Sequence, residues 1–142
     1  IIEDKKILLP SYVVGTKGRD SNSQEKHIDE VEDDDIIFDI GQSAIEDFSS
    51  YINSAKTIIW NGPMGYFEEE RFAKGTAGIA LKISESSGYS IIGGGETLAS
   101  FSNLNMMECV DYASTAGGAF LEYIELGTLP CIEAIKNKNM GI

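Results

Sequence analysis

The chain has 142 residues, 42% of them apolar and 24% charged, which suffices for one packed domain and indicates neither a disordered chain nor a membrane class. Its net charge is −12, with 16 acids and 6 bases in residues 1–70 but 7 acids and 5 bases in residues 71–142. That balance excludes the clustered Lys and Arg that nucleic-acid binding draws on, and no apolar run is long enough for a membrane-spanning helix.

The opening IIEDKKILLP has neither the long apolar stretch of a secretory signal nor an initiator Met, so the chain reads as a piece of a longer, soluble polypeptide. Lys6–Thr16 reads as a strand, with Pro10 tolerable near an edge or a bulge. Residues 17–35 are polar and aperiodic and read as a surface loop. The loop's acids (Asp29, Glu30, Glu32, Asp33, Asp34 and Asp35) lack the glycine an EF-hand turn needs, so they read as solvated rather than calcium-binding.

Ser43–Asn53 is the clearest helix, with Ser43 as cap and Ile45, Phe48 and Ile52 at helical spacing. Thr57–Trp60 (TIIW) is the β-branched run of a buried parallel strand, and Trp60 reads as core. A second helix is expected from Lys74–Thr76 to about Ser86, facing Ala77, Ala80, Leu81 and Ile83 inward. Ser90–Ile92 and Cys109–Ala113 supply two more strands, each followed by a helix, the last ending before Gly127 and Pro130. Strand and helix alternate, which predicts an α/β, three-layer fold on a mainly parallel sheet of about four strands. Cys109 and Cys131 form no CxxC pair, which fits a reducing compartment and hence the cytoplasm.

Two glycine-rich stretches, SIIGGGET (Ser90–Thr97) and YASTAGGA (Tyr112–Ala119), each follow an apolar strand-like run and open a helix. A helix N-terminus offers unpaired N–H groups and positive potential, and glycine lets a phosphate approach them closely. In a parallel sheet Asn61, Gly93–Glu96 and Ser114–Gly118 would share the rim beyond the strands' carboxyl ends. Standard fingerprints are absent. Lys74-Gly75-Thr76 does not complete a P-loop, and Leu98 stands where GxGxxG needs its last glycine. The only histidine, His27, lies in the polar loop, and no metal-ligand spacing occurs. Glu96, just after the glycines, could hold Mg²⁺ bound mainly to phosphates, or serve simply as an acid at a helix start.

WNGPMGYFE (Trp60–Glu68), FAKGT (Phe72–Thr76), GGGET (Gly93–Thr97) and STAGGAFLEYIELGTLP (Ser114–Pro130) stand in the order and spacing of phosphoglycerate kinase, which this chain resembles from about Lys5 to Ile135. KKILLP and IIFDIG (Ile36–Gly41) are also similar to its segments. The resemblance covers only the last third or so of that family's length. It implies the C-terminal part of a Rossmann-like nucleotide-binding domain across residues 1–142, without the substrate domain or the start of the nucleotide domain.

By that resemblance Asn61 and Pro63 would sit beside ADP or ATP, and Glu68 would accept from the ribose hydroxyls. Phe38 would lie against the adenine, with Ile37 in place of the family's usual glycine. Gly94 and Gly95 would face the phosphates, Thr97 would contact them, and Glu96 would stand at the metal position in place of the usual aspartate. Gly95, Gly117 and Gly118 would stabilise the transferring phosphoryl, with Ala116 replacing a third glycine; a positive φ at Ala116 would strain the loop.

The implied reaction is reversible phosphoryl transfer between 1,3-bisphosphoglycerate and ADP in glycolysis, with Mg²⁺ accompanying the nucleotide. 3-Phosphoglycerate would bind only through the domain not present here. No Lys or Arg lies between Lys82 and Lys136, so the chain alone is expected to bind nucleotide weakly and not to catalyse. Two other classes stay in view: a non-catalytic fragment that dimerises through an open sheet edge, and an unrelated α/β domain whose glycines only make turns, which the four ordered motifs disfavour.

Overall fold

The β-branched runs that stand out in the sequence become the middle of the molecule. A computed structural model describes residues 6–18 and 21–138. Strands β4 (Thr57–Asn61), β5 (Tyr89–Gly93) and β6 (Tyr112–Ser114) form a parallel sheet in that order, with Trp60 opposite Ile92 and Ile92 opposite Ala113. Helices α1 (Gln42–Ser54), α2 (Lys74–Glu85), α3 (Gly95–Asn103) and α4 (Gly118–Leu126) alternate with these strands, and α5 (Pro130–Lys138) follows. The main core lies on the Ile58 and Trp60 side of β4. There Ile40, Ala44, Ile45, Ile79, Ala80, Ile83, Ile92 and Phe101 form one cluster with Trp60, whose ring meets Phe101 edge-on at 5.3 Å.

The α/β pattern is as expected, but the parallel sheet holds three strands among the described residues, and a second sheet precedes it. Strands β1 (Tyr12–Thr16), β2 (Gln24–His27) and β3 (Ile36–Ile40) pair antiparallel in the order β2-β1-β3. Strand β2 and a 3-10 turn at Ile28–Glu30 lie inside the segment read as loop. QEKH is polar because β2 is an edge strand, so it lacks the alternation that betrays a half-buried strand. The expected strand from Lys6 begins only at Tyr12, and in place of one strand over Cys109–Ala113 there are a 3-10 turn (Met107–Cys109) and β6.

Helix α1 starts one position before Ser43, with Gly41 at its N-cap and no side-chain cap. On α2, Ile79 is buried whereas Leu81 is 47% exposed, because a residue two positions along a helix points to another face. The acid segment is more than solvated charge. Lys17 pairs with Glu32 and Asp34, and Lys26 reaches Asp35 at 2.6 Å, so two lysines fold this segment against the sheet.

Strands β5 and β6 are tied at their starts by Asp111, whose carboxylate accepts from the Ser90 N–H at 2.8 Å and the Ser90 hydroxyl at 2.9 Å. These bonds, the backbone N–H first, hold its carboxyl below the usual aspartate value. The same holds for Asp35, through the Glu32 N–H and then Lys26. A carboxyl lowered on folding stabilises the native state above its unfolded pKa, and that contribution is lost as pH falls through the folded value. The urea midpoint should therefore drop below about pH 4, and Asp111→Asn should flatten that drop while lowering the midpoint at pH 7. Urea titrations of both chains at pH 3, 5 and 7 check this.

Candidate functional site

The three parallel strands end at one rim, and the rim is held together by backbone rather than by charge. The Gly94 N–H donates to the carbonyls of both Ser114 and Ala116, each at 3.1 Å, which binds the turn after β5 to the turn after β6. Gly94 has φ 90°, and a Cβ there would stand 2.9 Å from the Asn61 Oδ1, so this position requires glycine on both counts. The Asn61 side chain thus lies between the two glycine turns. The third turn is fixed by Thr97, fully buried, whose hydroxyl accepts from the Gly62 N–H at 2.7 Å.

Above this platform two helices begin. The first intrahelical bonds run from Leu98 to Gly94 in α3 and from Leu121 to Gly117 in α4. The N–H groups of Gly95, Glu96 and Thr97, and of Gly118, Ala119 and Phe120, precede those bonds, which gives two anion-attracting ends side by side. Gly95, Glu96 and Gly118 are exposed. Ala116 causes no backbone strain, since Asn105 is the only non-glycine with positive φ among the described residues. No group of three or more metal-ligating side chains occurs among them either. Glu96 is therefore a single carboxylate at the rim, an arrangement that suits a cation held mainly by phosphate and water.

A second cluster sits on β3. Val14 is opposite Asp39 and Gly15 opposite Ile37, so Phe38 is the extra residue of a β-bulge. Bulges re-aim a residue and free its backbone. Here the Phe38 carbonyl accepts from the Tyr66 N–H at 2.8 Å. The Phe38 ring stacks on Phe72 at 4.5 Å and leans on Tyr66 at 6.3 Å, while Ile37 is 48% exposed. Glu68 is exposed two residues beyond Tyr66, and Pro63 is half-buried in the same connection. The Met64 N–H in that segment donates to the Thr76 hydroxyl at 3.1 Å.

Asp39 follows Phe38 and is 3% exposed. Its carboxylate accepts from the Gly75 N–H at the start of α2 (2.7 Å) and from the Ile40 N–H (2.9 Å). Burial pushes this carboxyl above the usual aspartate value, and the two N–H donors pull against that rise. Asp39, Tyr66 and Thr76 were not singled out by sequence reasoning. The available signal was an acid inside the apolar run IIFDI.

Parallel strands that end in glycine turns, with helices opening at an anion-attracting rim, define an α/β protein of Rossmann-like type. The family model for phosphoglycerate kinase matches residues 2–126. A phosphoglycerate kinase from Vibrio campbellii (strain ATCC BAA-1116) is 41% identical over 138 residues, which are 96% of this chain and 36% of that protein. The structure of phosphoglycerate kinase from Coxiella burnetii superposes with a TM-score of 0.81 at 41% identity, over 89% of this chain and 33% of that one. The enzyme from Pyrococcus horikoshii OT3 gives 0.79 at 28% identity, over 94% and 33%. The chain belongs to the phosphoglycerate kinase family and spans about a third of the length of these relatives.

Thr97→Val removes the acceptor of the Gly62 N–H without changing side-chain shape. It should cost about 1–3 kcal/mol of stability, and Thr97→Ser should recover most of it, as urea denaturation of the three chains will measure.

Proposed function

We propose that this chain is the C-terminal part of the nucleotide-binding domain of a cytoplasmic, glycolytic phosphoglycerate kinase, and that its rim binds ADP or ATP. The observation that carries this reading is the Gly94 bond to Ser114 and Ala116, which sets two helix N-termini beside Asn61, as a polyphosphate requires. Gly94 and Gly117 keep the floor low, since a Cβ on either would lie within 4 Å of the other's Cα. The N–H groups of Gly95, Gly117 and Gly118 would face phosphoryl oxygens, with Thr97 bracing the turn beneath them. Phe38 and Ile37 would meet the base, with Pro63 and Asn61 alongside, and Glu68 would accept from the ribose.

Glu96 would hold Mg²⁺ on the phosphates, where the ion supplies neutralising charge. Phosphoryl transfer depends on positioning and charge neutralisation, and the rim offers backbone dipoles without a nearby Lys or Arg in sequence from Lys82 to Lys136. In this reading the cations and the 3-phosphoglycerate or 1,3-bisphosphoglycerate site belong to the rest of the enzyme, and the chain alone binds nucleotide weakly without turnover.

Calorimetric titration with Mg·ADP should give saturable binding, weakened at least several-fold by Glu96→Ala and by Glu68→Ala. A coupled assay should detect no transfer, and turnover by the isolated chain would overturn the second half of the proposal.

One observation favours a second property. Among the described residues, strand β4 has β5 on one side and no strand on the other in this sheet, with Ile59 exposed. Such an edge is a template for pairing. A second copy is the occupant we assign, because the unpaired backbone groups of one β4 edge complement those of another in an antiparallel pair, and the apolar Ile59 on that strand is exposed. Sedimentation should show a dimer at high concentration that Ile59→Lys returns to monomer; a wild-type monomer throughout would remove this reading.

A further inference from the structure

Asp39 is a buried acid absent from the roles assigned above. It stands where three segments meet. Its own strand carries Phe38, its Oδ2 accepts from the Gly75 N–H that opens α2, and it packs against Gly65 of the connection that leads to Tyr66 and Glu68. A Cβ at either Gly65 or Gly75 would overlap the carboxylate, so both glycines are sites of close approach to this one side chain. The Tyr66 N–H to Phe38 carbonyl bond joins the residue after Gly65 to the residue before Asp39. The carboxylate therefore spans the junction between the antiparallel sheet, which carries Phe38, and the β4–α2 connection, which carries Tyr66 and Glu68.

We propose that Asp39 is a positioning residue that sets the distance between Phe38 and the Tyr66–Glu68 segment, and through it the grip on the nucleoside end of the ligand. This rests on the nucleotide reading above. The phosphate end has separate supports, namely Gly94 with Ser114 and Ala116, and Thr97 with Gly62. The two ends of the ligand are thus held by different parts of the fold, and a change at Asp39 acts on one of them.

The substitution Asp39→Asn keeps the shape and an acceptor for Ile40 but turns an amide toward the Gly75 N–H, where a second donor cannot be accommodated. Calorimetry with Mg·ADP and with Mg·pyrophosphate separates the ends. Asp39→Asn should weaken Mg·ADP by about tenfold and leave Mg·pyrophosphate unchanged, and in a Phe38→Ala, Glu68→Ala background it should have no further effect on Mg·ADP. Equal weakening of both ligands, or of neither, would overturn the proposal, since a merely structural role does not discriminate between them.

Amide exchange in the unmodified chain tests the same link without ligand or variant. The Gly75 and Tyr66 N–H groups should open together, apart from the Gly62 N–H held by Thr97. Independent opening of Gly75 and Tyr66 would also overturn it. If the unmodified chain binds neither ligand, the nucleotide reading fails on its own, and the exchange result still decides whether Asp39 couples the two segments.

Discussion

The rim depends on one peptide N–H. That of Gly94 reaches across to the Ser114 and Ala116 carbonyls, and in doing so it decides how far apart α3 and α4 begin. A parallel sheet leaves its strand-to-helix turns without mutual ladder bonds, so their spacing must come from elsewhere. Here it comes from a single N–H donated to two carbonyls by a residue with positive φ, with the Asn61 amide filling the space a side chain would need. The Thr97 hydroxyl then ties the β4 turn to the start of α3. Backbone polarity is concentrated at the place where an anion would be bound, and the core beneath is apolar and packed on Trp60 and Phe101.

The parts of the fold that could be read in advance are those whose physics is periodic. Ile45, Phe48 and Ile52 recur along α1, and TIIW and SII are β-branched runs between turn residues, so α1, β4 and β5 emerge within a residue or two of their observed limits. Of the first sheet only β1 was legible, for a matching reason. An edge strand of sequence QEKH has no apolar face, and its pairing with β1 is a backbone affair that side chains do not advertise. The helix start at Gly41 was likewise obscured by Ser43, a better cap on propensity that happens to lie inside the first turn. Of the site, the glycine turns and Asn61 were visible because their chemistry is written in residue type. The bulge at Phe38 and the second aromatic ring of Tyr66 were not, because both follow from strand register, a long-range property.

Charge is segregated in a way that serves this division. Acids gather on the segment between β2 and β3, where Lys17 and Lys26 draw them back onto the antiparallel sheet. The parallel sheet's rim is left with few formal charges of either sign, so the field there is set by helix ends and oriented peptides. The densest acidic segment lies on the other sheet, and Glu96 is the acid that opens α3 at the rim.

The single tryptophan occupies an uncommon position. Trp60 is 7% exposed, its indole N–H has no acceptor, and it immediately precedes Asn61 at the rim. An indole kept from water and from hydrogen bonding emits at the blue end of its range, and its excited-state dipole responds to any polar group or charge brought near. The protein thus carries an intrinsic optical probe set in its apolar core, one residue before the asparagine that lies between its glycine turns.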